Sequence, residues 1–370
     1  MFTEFIEKLK EQYKQELPFV AYRKPQKNIV NAVLQKNSEL HYVQTFDETG
    51  FVFSSFDGDR NILLQVDEFL SIPFSASDDN AFKKEKDLDL ENDVAPKQKH
   101  IALVEKAIQQ IEDGDFEKVV LSRQISVPFD ATMFDVFSTI LNTYPKAFCY
   151  LWYHPAVGCW LGATPEILLS SENKRITTMS LAGTMVYEEG MEPKWGNKEL
   201  HEQELVTNYI AKVLENKVDR LTISERESFR AGNLWHLRSS IQGTLVSSLA
   251  EVVTALHPTP AVCGLPKKET QSFIEANEGY DRSFYTGFLG ELNFKSGRDR
   301  SPSRRNQENK AYRTVISKTA LFVNLRCMQF KEGKAQIYVG GGITVDSNPE
   351  KEFNETVQKS KTMLKVLSRS

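Results

Sequence analysis

The sequence predicts an α+β fold, with antiparallel sheets and helices packed outside them. Three observations lead there. The strand-like runs 283–294, 318–330 and 334–343 follow one another with no helical stretch between them. Lys331 to Lys334, KEGK, has the composition of a hairpin turn, which joins antiparallel neighbours. Elsewhere apolar residues recur at spacings of three and four, the pattern of a helix buried along one face.

Taken in order, the chain begins with MFTEFIEKLKEQYKQ, in which charges interleave with Phe2, Phe5, Ile6, Leu9 and Tyr13. This is an amphipathic helix and not a signal peptide. HYVQTF, GFVFSSF and NILLQV, within 41–66, are short strands separated by turns at 47–50 and 57–61. Ser75 to Lys99 is rich in charge and poor in apolar residues, and is expected to be a mobile connection to the rest. Ile101, Val104, Ile108 and Ile111 mark a helix that Gly114 closes. Longer strands are expected at 117–127, 147–153, 158–170, 174–182 and 234–245. Helices are expected at about 130–142, 198–218, 247–256, 268–277 and 349–367. Lys295 to Arg313 carries seven basic residues against Asp299 and Glu308; with almost no aromatic interleaving it reads as a solvated loop, not a nucleic-acid surface.

Composition narrows the class. The 370 residues are 40% hydrophobic and 26% charged with a net charge of −4, an ordinary globular chain with no general polycation for nucleic acid. Cys149, Cys159, Cys263 and Cys327 lack metal-type spacing and read as free thiols in a reducing, cytoplasmic compartment. The longest uncharged run, Ala147 to Pro165, is broken by Pro155, Gly158 and Gly162, so no membrane span is expected.

Two carboxylate pairs carry the chemistry. Near the C-terminus a strand runs into Gly340, Gly341 and Gly342, and Pro349 then opens a helix bearing Glu352 and Glu355 three residues apart. Far upstream, the stripe Val206, Tyr209, Ile210, Val213, Lys217 extends backwards through Glu202 and Glu199, placing both on the inward face of their helix. Buried carboxylates need a partner. An oxygen-rich acidic site suits magnesium; the alternatives are pairing with Lys198 or an arginine, a first turn left in water, or a simple gain from the helix dipole.

Single residues are less decisive. Lys118, in FEKVVLSRQISV, is either at the solvent face, which the strand pattern favours, or desolvated and usable as a general base. Glu166 is the sole charge in GCWLGATPEILLSS, either an exposed strand residue or an acid raised by burial. Gly183 and Thr184, in SLAGT, and the Gly340–Gly342 run offer close backbone approach to an anion, or else a bulge or tight sheet crossing. Tyr285 and Arg326 fall in expected strands, where a buried arginine wants an anion. His236 reads more readily as a satisfied core histidine than as a catalyst.

Together these stretches resemble the chorismate-utilising enzymes, which include isochorismate synthase, salicylate synthase and the large subunit of anthranilate synthase. The resemblance covers about residue 100 to the C-terminus. It rests on KVVLSR, LGATPEILL, SLAGT, KELHEQELV, LWHLRSSIQG, HPTPAVCGLP, SFYTGFLGELN, LRC and GGGITVDSNPEKEFNET in that order. It implies one α+β domain of large antiparallel sheets facing each other, with residues 1–95 a variable N-terminal lobe and 96–370 the chorismate-binding core. It implies Mg2+ held directly by Glu202 and Glu352, with Glu199 and Glu355 bridging through water. Tyr285 and Arg326 would clamp the enolpyruvyl carboxylate, and Gly183, Thr184 and Gly340 to Gly342 would supply backbone contacts, with His236 also at the substrate site. Lys118 would activate water for attack at ring carbon 2, and Glu166 would protonate the hydroxyl leaving ring carbon 4. Amino-transferring members tend to carry glutamine where Lys118 stands, and aminodeoxychorismate enzymes a lysine where Ala182 stands. Salicylate-forming members tend to carry threonine where Ala261 stands. The resemblance therefore implies an isochorismate synthase feeding menaquinone or siderophore biosynthesis, with salicylate synthase and a non-catalytic magnesium- or anion-binding module as alternatives; separately, a monomer is expected. Gln203, where many relatives have histidine, and the basic stretch 295–313 depart from the family pattern.

Overall fold

Strands that are apolar on both faces need cover on both, and the fold supplies it. The structure is a computed structural model and describes residues 1–76, 94–128, 130–187, 189–231, 234–298 and 314–368. Two antiparallel sheets lie face to face. The first runs, edge to edge, β15 (Gly264–Leu265), β7 (Lys118–Pro128), β19 (Lys334–Ile343), β18 (Cys327–Lys331), β9 (Gly158–Thr164), β8 (Phe148–His154), β1 (Phe19–Arg23), β2 (Ile29–Leu34) and β6 (Glu68–Pro73). The second runs β12 (Val218–Ile223), β14 (Leu234–Leu245), β11 (Arg175–Val186), β10 (Ile167–Glu172), β17 (Thr314–Val323), β16 (Phe288–Arg298), β4 (Gly50–Ser54), β5 (Asn61–Leu64) and β3 (His41–Tyr42), with β13 (Glu227–Ala231) also on β14. Strands before residue 76 thus extend one end of both sheets.

In β1, Phe19 and Ala21 join the outer core while Val20 and Tyr22 join the core between the sheets. That inner core is aromatic, with Phe148 stacked on Phe322 at 4.2 Å and Phe53 on Phe284 at 4.4 Å between ring centres. Outside the first sheet pack α1 (Phe2–Lys14), α3 (Met133–Thr143) and α7 (Pro349–Leu367). Outside the second pack α4 (Asn197–Leu214) and α5 (Leu249–Leu256). The helices α2 (Val94–Glu112) and α6 (Lys267–Asn277) close over β7.

The helices and the run 334–343 fall close to expectation, and three stretches do not. The runs 158–170 and 318–330 are each two strands. The chain leaves the first sheet after β9 and enters the second at β10, turning at Pro165 and Glu166; it returns between β17 and β18, turning at Asn324 to Arg326. Both sides of each corner are buried, so the apolar pattern continues across the change of sheet. The corners are joined: Ala163 N–H donates to Arg326 O and Val323 N–H to Glu166 O, both at 3.0 Å. The stretch 283–287 is a turn ahead of β16, so neither Tyr285 nor Arg326 lies on a strand. That turn is tied to the same corner, Thr286 N–H to Asn324 O at 2.9 Å and Asn324 N–H to Gly287 O at 2.8 Å.

Smaller corrections follow. Helix α2 starts at Val94, inside the expected connection, whose residues 77–93 lie outside the described residues. Helix α4 ends at Leu214, so Lys217 is not part of its buried stripe, which instead includes Gln203. The basic stretch 295–313 is strand to Arg298 and from 299 lies outside the described residues. All four cysteines are free and buried. No described helix is long and apolar enough to cross a membrane.

Candidate active site

The corners and the glycine run meet around one cleft. It encloses about 840 Å3 of empty space, part of it open to solvent. Glu166, Gly183, Thr184, Glu202, His236, Ala261, Tyr285, Arg326, Gly340, Gly341, Gly342 and Glu355 all line it. These come from both sheets and both acidic helices, so residues as far apart as 166 and 355 share one wall.

The glycines lie within β19, as the expected run 334–343 has them. Gly340, Gly341 and Gly342 pair with Ser122, Leu121 and Val120 of β7. On the other side β18 pairs with β19 only as far as Ile337, so the glycine segment faces the cleft with one edge unpaired by β18. A side chain there would collide: a Cβ on Gly342 would lie 2.4 Å from Glu202 Oε1, and one on Gly340 2.7 Å from Leu121 O. Gly183 sits at φ +72° in a bulge between Ala182 and Thr184, a left-handed conformation that glycine adopts freely.

Lys118 and Glu166 are buried, which overturns the solvent-face expectation for both. In β7, Val119 and Leu121 join the outer cluster, so Lys118 and Val120 turn to the inner side. Lys118 is fully buried; its Nζ lies 2.8 Å from Glu202 Oε1 as an ion pair but has no partner in hydrogen-bond geometry. Glu166 is 4% exposed, and burial pushes its carboxyl up to about 8 against the opposing pull of Lys118, Arg326 and Lys359. At neutral pH it is therefore mostly a neutral acid.

Arg326 is held by His236. Its Nη2 donates to His236 Nε2 at 2.8 Å, and His236 Nδ1 lies 3.1 Å from Gly183 O. The ring then carries its proton on Nδ1 and donates it to that carbonyl. Burial, then the charge of Arg326, holds the His236 pKa well below its usual value, so the ring is neutral and can accept. Burial likewise lowers the Arg326 guanidinium to about 10. Tyr285 stacks on Tyr338 at 5.3 Å.

The acidic helices converge on the glycines. A Cβ on Gly341 would lie 3.6 Å from Glu352 Oε2 and 3.7 Å from Glu355 Oε1. Asn348 caps α7 by accepting from Lys351 N–H at 3.1 Å, with Pro349 in the first turn. Three of the four carboxylates have a lysine: Glu202 has Lys118, Glu352 has Lys198, and Glu355 has Lys359 at 2.7 Å. Burial works against the charge of Lys198, but Glu352, Glu355 and Glu202 together raise its pKa. Burial would raise Glu202, yet Lys118, Lys198 and Lys359 lower it. Burial and then Glu355 raise Glu352, whose Oε2 is buried with no hydrogen-bond partner. Glu199 instead caps its own helix, accepting from Gly196 N–H at 3.0 Å. Among the described residues no three His, Cys, Asp or Glu side chains form a ready metal-ligand group.

Lys359 escaped the sequence reading. It lines the cleft, and its Nζ donates to Gly340 O at 2.8 Å. Its signal was its spacing, four residues beyond Glu355 and seven beyond Glu352 on one helix face. Gln203 is 1% exposed, and its Nε2 lies 3.0 Å from Ser180 Oγ and Thr207 Oγ1 and 3.2 Å from Ser239 Oγ, tying α4 to both β11 and β14.

Residues 56–298 match the model of the chorismate binding enzyme family, and 315–365 match a second chorismate binding enzyme model. Isochorismate synthase DhbC of Bacillus subtilis is 30% identical over 56% of this chain and 50% of its own length. Isochorismate synthase EntC of Escherichia coli is 30% identical over 68% of this chain and 62% of its own. The chain thus spans half to under two thirds of these relatives. The menaquinone-specific isochorismate synthase MenF of Escherichia coli has the same fold, with a TM-score of 0.70 at 19% identity over 95% of this chain and 88% of that one.

Proposed function

Starting from the fact that this chain belongs to the chorismate binding enzyme family, we propose that it is a magnesium-dependent isochorismate synthase, an isomerase converting chorismate reversibly to isochorismate. The observation that carries the proposal is Glu166: a carboxylic acid held protonated at neutral pH on the wall of a cleft whose inner strand bears a buried lysine. General acid catalysis needs such a group.

Chorismate is a dicarboxylate, and the cleft offers matching cations. Arg326, fixed by His236, and the Tyr285 hydroxyl would take the enolpyruvyl carboxylate. Backbone at Gly183, Thr184 and Gly340 to Gly342 would lie against the ring. Lys118 would take a proton from water as its oxygen bonds to ring carbon 2. The ring double bond shifts, the carbon 4–oxygen bond breaks, and Glu166 gives its proton to the departing hydroxyl. One water enters and one leaves, as an isomerisation requires.

What supports magnesium is two pairs of carboxylates at the starts of α4 and α7, one with a buried unpartnered oxygen, although as they stand the described side chains form no ready ligand group. Glu202 and Glu352 would hold the ion directly and Glu199 and Glu355 through water, and the ion would offset the charge of the ring carboxylate. Lys198 and Lys118 hold two of these carboxylates here and would yield them.

Ala261 lines the cleft and offers no hydroxyl to fix the enolpyruvyl side chain, which favours release of intact isochorismate over salicylate. Menaquinone or siderophore synthesis would consume it. The test is chromatography of products from chorismate with and without magnesium. Isochorismate formed only with magnesium is expected. Salicylate with stoichiometric pyruvate would make the protein a salicylate synthase, and no conversion would leave a binding module.

A further inference from the structure

Arg282 and Glu278 form a buried pair, each 3% exposed, that the mechanism above does not use. Arg282 Nε donates to Glu278 Oε2 at 2.8 Å, and Nη2 donates to Glu278 Oε1 at 2.5 Å. Glu278 in turn accepts from Ser122 N–H at 2.6 Å and from the Ser122 hydroxyl at 2.9 Å, one turn of strand from Val120. The remaining guanidinium donors reach two backbone carbonyls and one hydroxyl: Nη1 to Val262 O at 2.9 Å and to Thr286 Oγ1 at 3.4 Å, and Nη2 to Val120 O at 2.7 Å.

Those two carbonyls mark a fork. Strand β15 pairs with β7 at Gly264 and Leu265, and Val120 N–H still donates to Cys263 O at 2.8 Å. Beyond that point the wall segment leaves β7 to line the cleft. Arg282 supplies, from a side chain, the donors that a continuing strand ladder would have supplied. Val120 and Val262 both line the cleft; Lys118 is two residues from one and Ala261 is adjacent to the other. Arg282 O also accepts from Tyr285 N–H at 2.9 Å. Arg282 thus joins three walls, two through its guanidinium and the third through its own backbone carbonyl.

A buried ion pair is weak evidence for stability, since apolar side chains of similar volume often serve as well. Its geometry is another matter: only a planar fork of donors can bridge a carboxylate and two carbonyls at once. We propose that Arg282, oriented by Glu278, is a positioning residue that sets the separation between the Lys118 strand and the Ala261 wall, and so keeps bound substrate within reach of Lys118 and Glu166 together. The proposal rests on the reading of the cleft as a chorismate site.

The experiment compares wild-type enzyme with Arg282→Lys and Ser122→Ala, assayed with chorismate and magnesium below their melting temperatures. Lysine keeps the charge but not the fork; Ser122→Ala loosens Glu278 without touching Arg282. A misplaced wall predicts a fall in kcat of about 10- to 100-fold for Arg282→Lys, with KM near wild type and the calorimetric magnesium affinity retained. Ser122→Ala should fall part of the way. If Arg282→Lys does not fold, Ser122→Ala and Glu278→Gln decide by the same split of kcat from KM. Folded variants with wild-type kcat, or losses that only track the unfolded fraction, overturn the proposal while the function reading stands. A wild-type enzyme that converts no chorismate overturns both.

Discussion

Glu166 is the acid of the proposed reaction. Its folded pKa of about 8 lies above the unfolded value of 4.5, so the native state binds the extra proton between those values. The carboxyl's contribution to stability is greatest below pH 4.5 and is lost as pH rises through 8. Glu166→Gln, which cannot ionise, should therefore melt at a higher temperature than wild type at pH 7, with the gap widening from pH 4.5 to 8 in a thermal series. Turnover of the same variant should fall by about 10²–10⁴, and wild-type turnover should decline above about pH 8. Lys118→Ala should lose activity to a similar degree with little change in chorismate binding. Near-normal turnover in either variant would remove that residue from the mechanism. Neither burial was legible in the sequence: alternation separates the two faces of the Lys118 strand without saying that both are covered, and Glu166 lies at a change of sheet that the continuous apolar run around it hides.

At the scale of elements, the glycine strand gives a graded test. Gly341→Ala places its Cβ at ordinary contact distance from Glu352 and Glu355, and the protein should stay folded. Gly340→Ala meets the backbone carbonyl of Leu121 at 2.7 Å and should lower the melting temperature most. Gly342→Ala meets side-chain atoms, Glu202 Oε1 at 2.4 Å and Lys118 Cε at 3.0 Å, which can yield. It should fold yet lose turnover, because the groups that yield are the ones the proposed reaction uses. Melting curves and rates on the three variants would rank them; the reverse order would refute the packing described. This strand and α7 were legible to the residue, since a turn and a proline bound them. The corners were not. Pro165 was a usable signal for the first, having no N–H for a ladder. The second turns on Arg326 at φ +48°, with no glycine or proline to announce it.

For the whole molecule, magnesium should act as a clasp between helices that start on opposite outer faces. A ligand that binds only the folded state at 100 times its dissociation constant adds about 2.7 kcal/mol. Magnesium should therefore raise the melting temperature of the wild-type protein, and Glu202→Ala or Glu352→Ala should abolish the increase along with turnover. A shift that persists in both variants would place the ion elsewhere. The overall α+β architecture was legible because successive strands lacked helices between them. The way strands from before residue 76 complete both sheets was not, since β1 is buried at every position and shows no alternation.

The interlocked corners also limit how this scaffold can be retooled. Glu166 and Arg326 are not carried on an exchangeable loop. Each sits where the chain changes sheets, and each corner's backbone carbonyl is the other corner's anchor. Moving one by insertion or loop grafting would drag a strand from each sheet with it. Exchange is left to side chains such as Ala261, which lines the cleft without holding a corner. Laboratory evolution of new substrate preferences should accumulate its changes there, around an acid and a guanidinium that stay fixed.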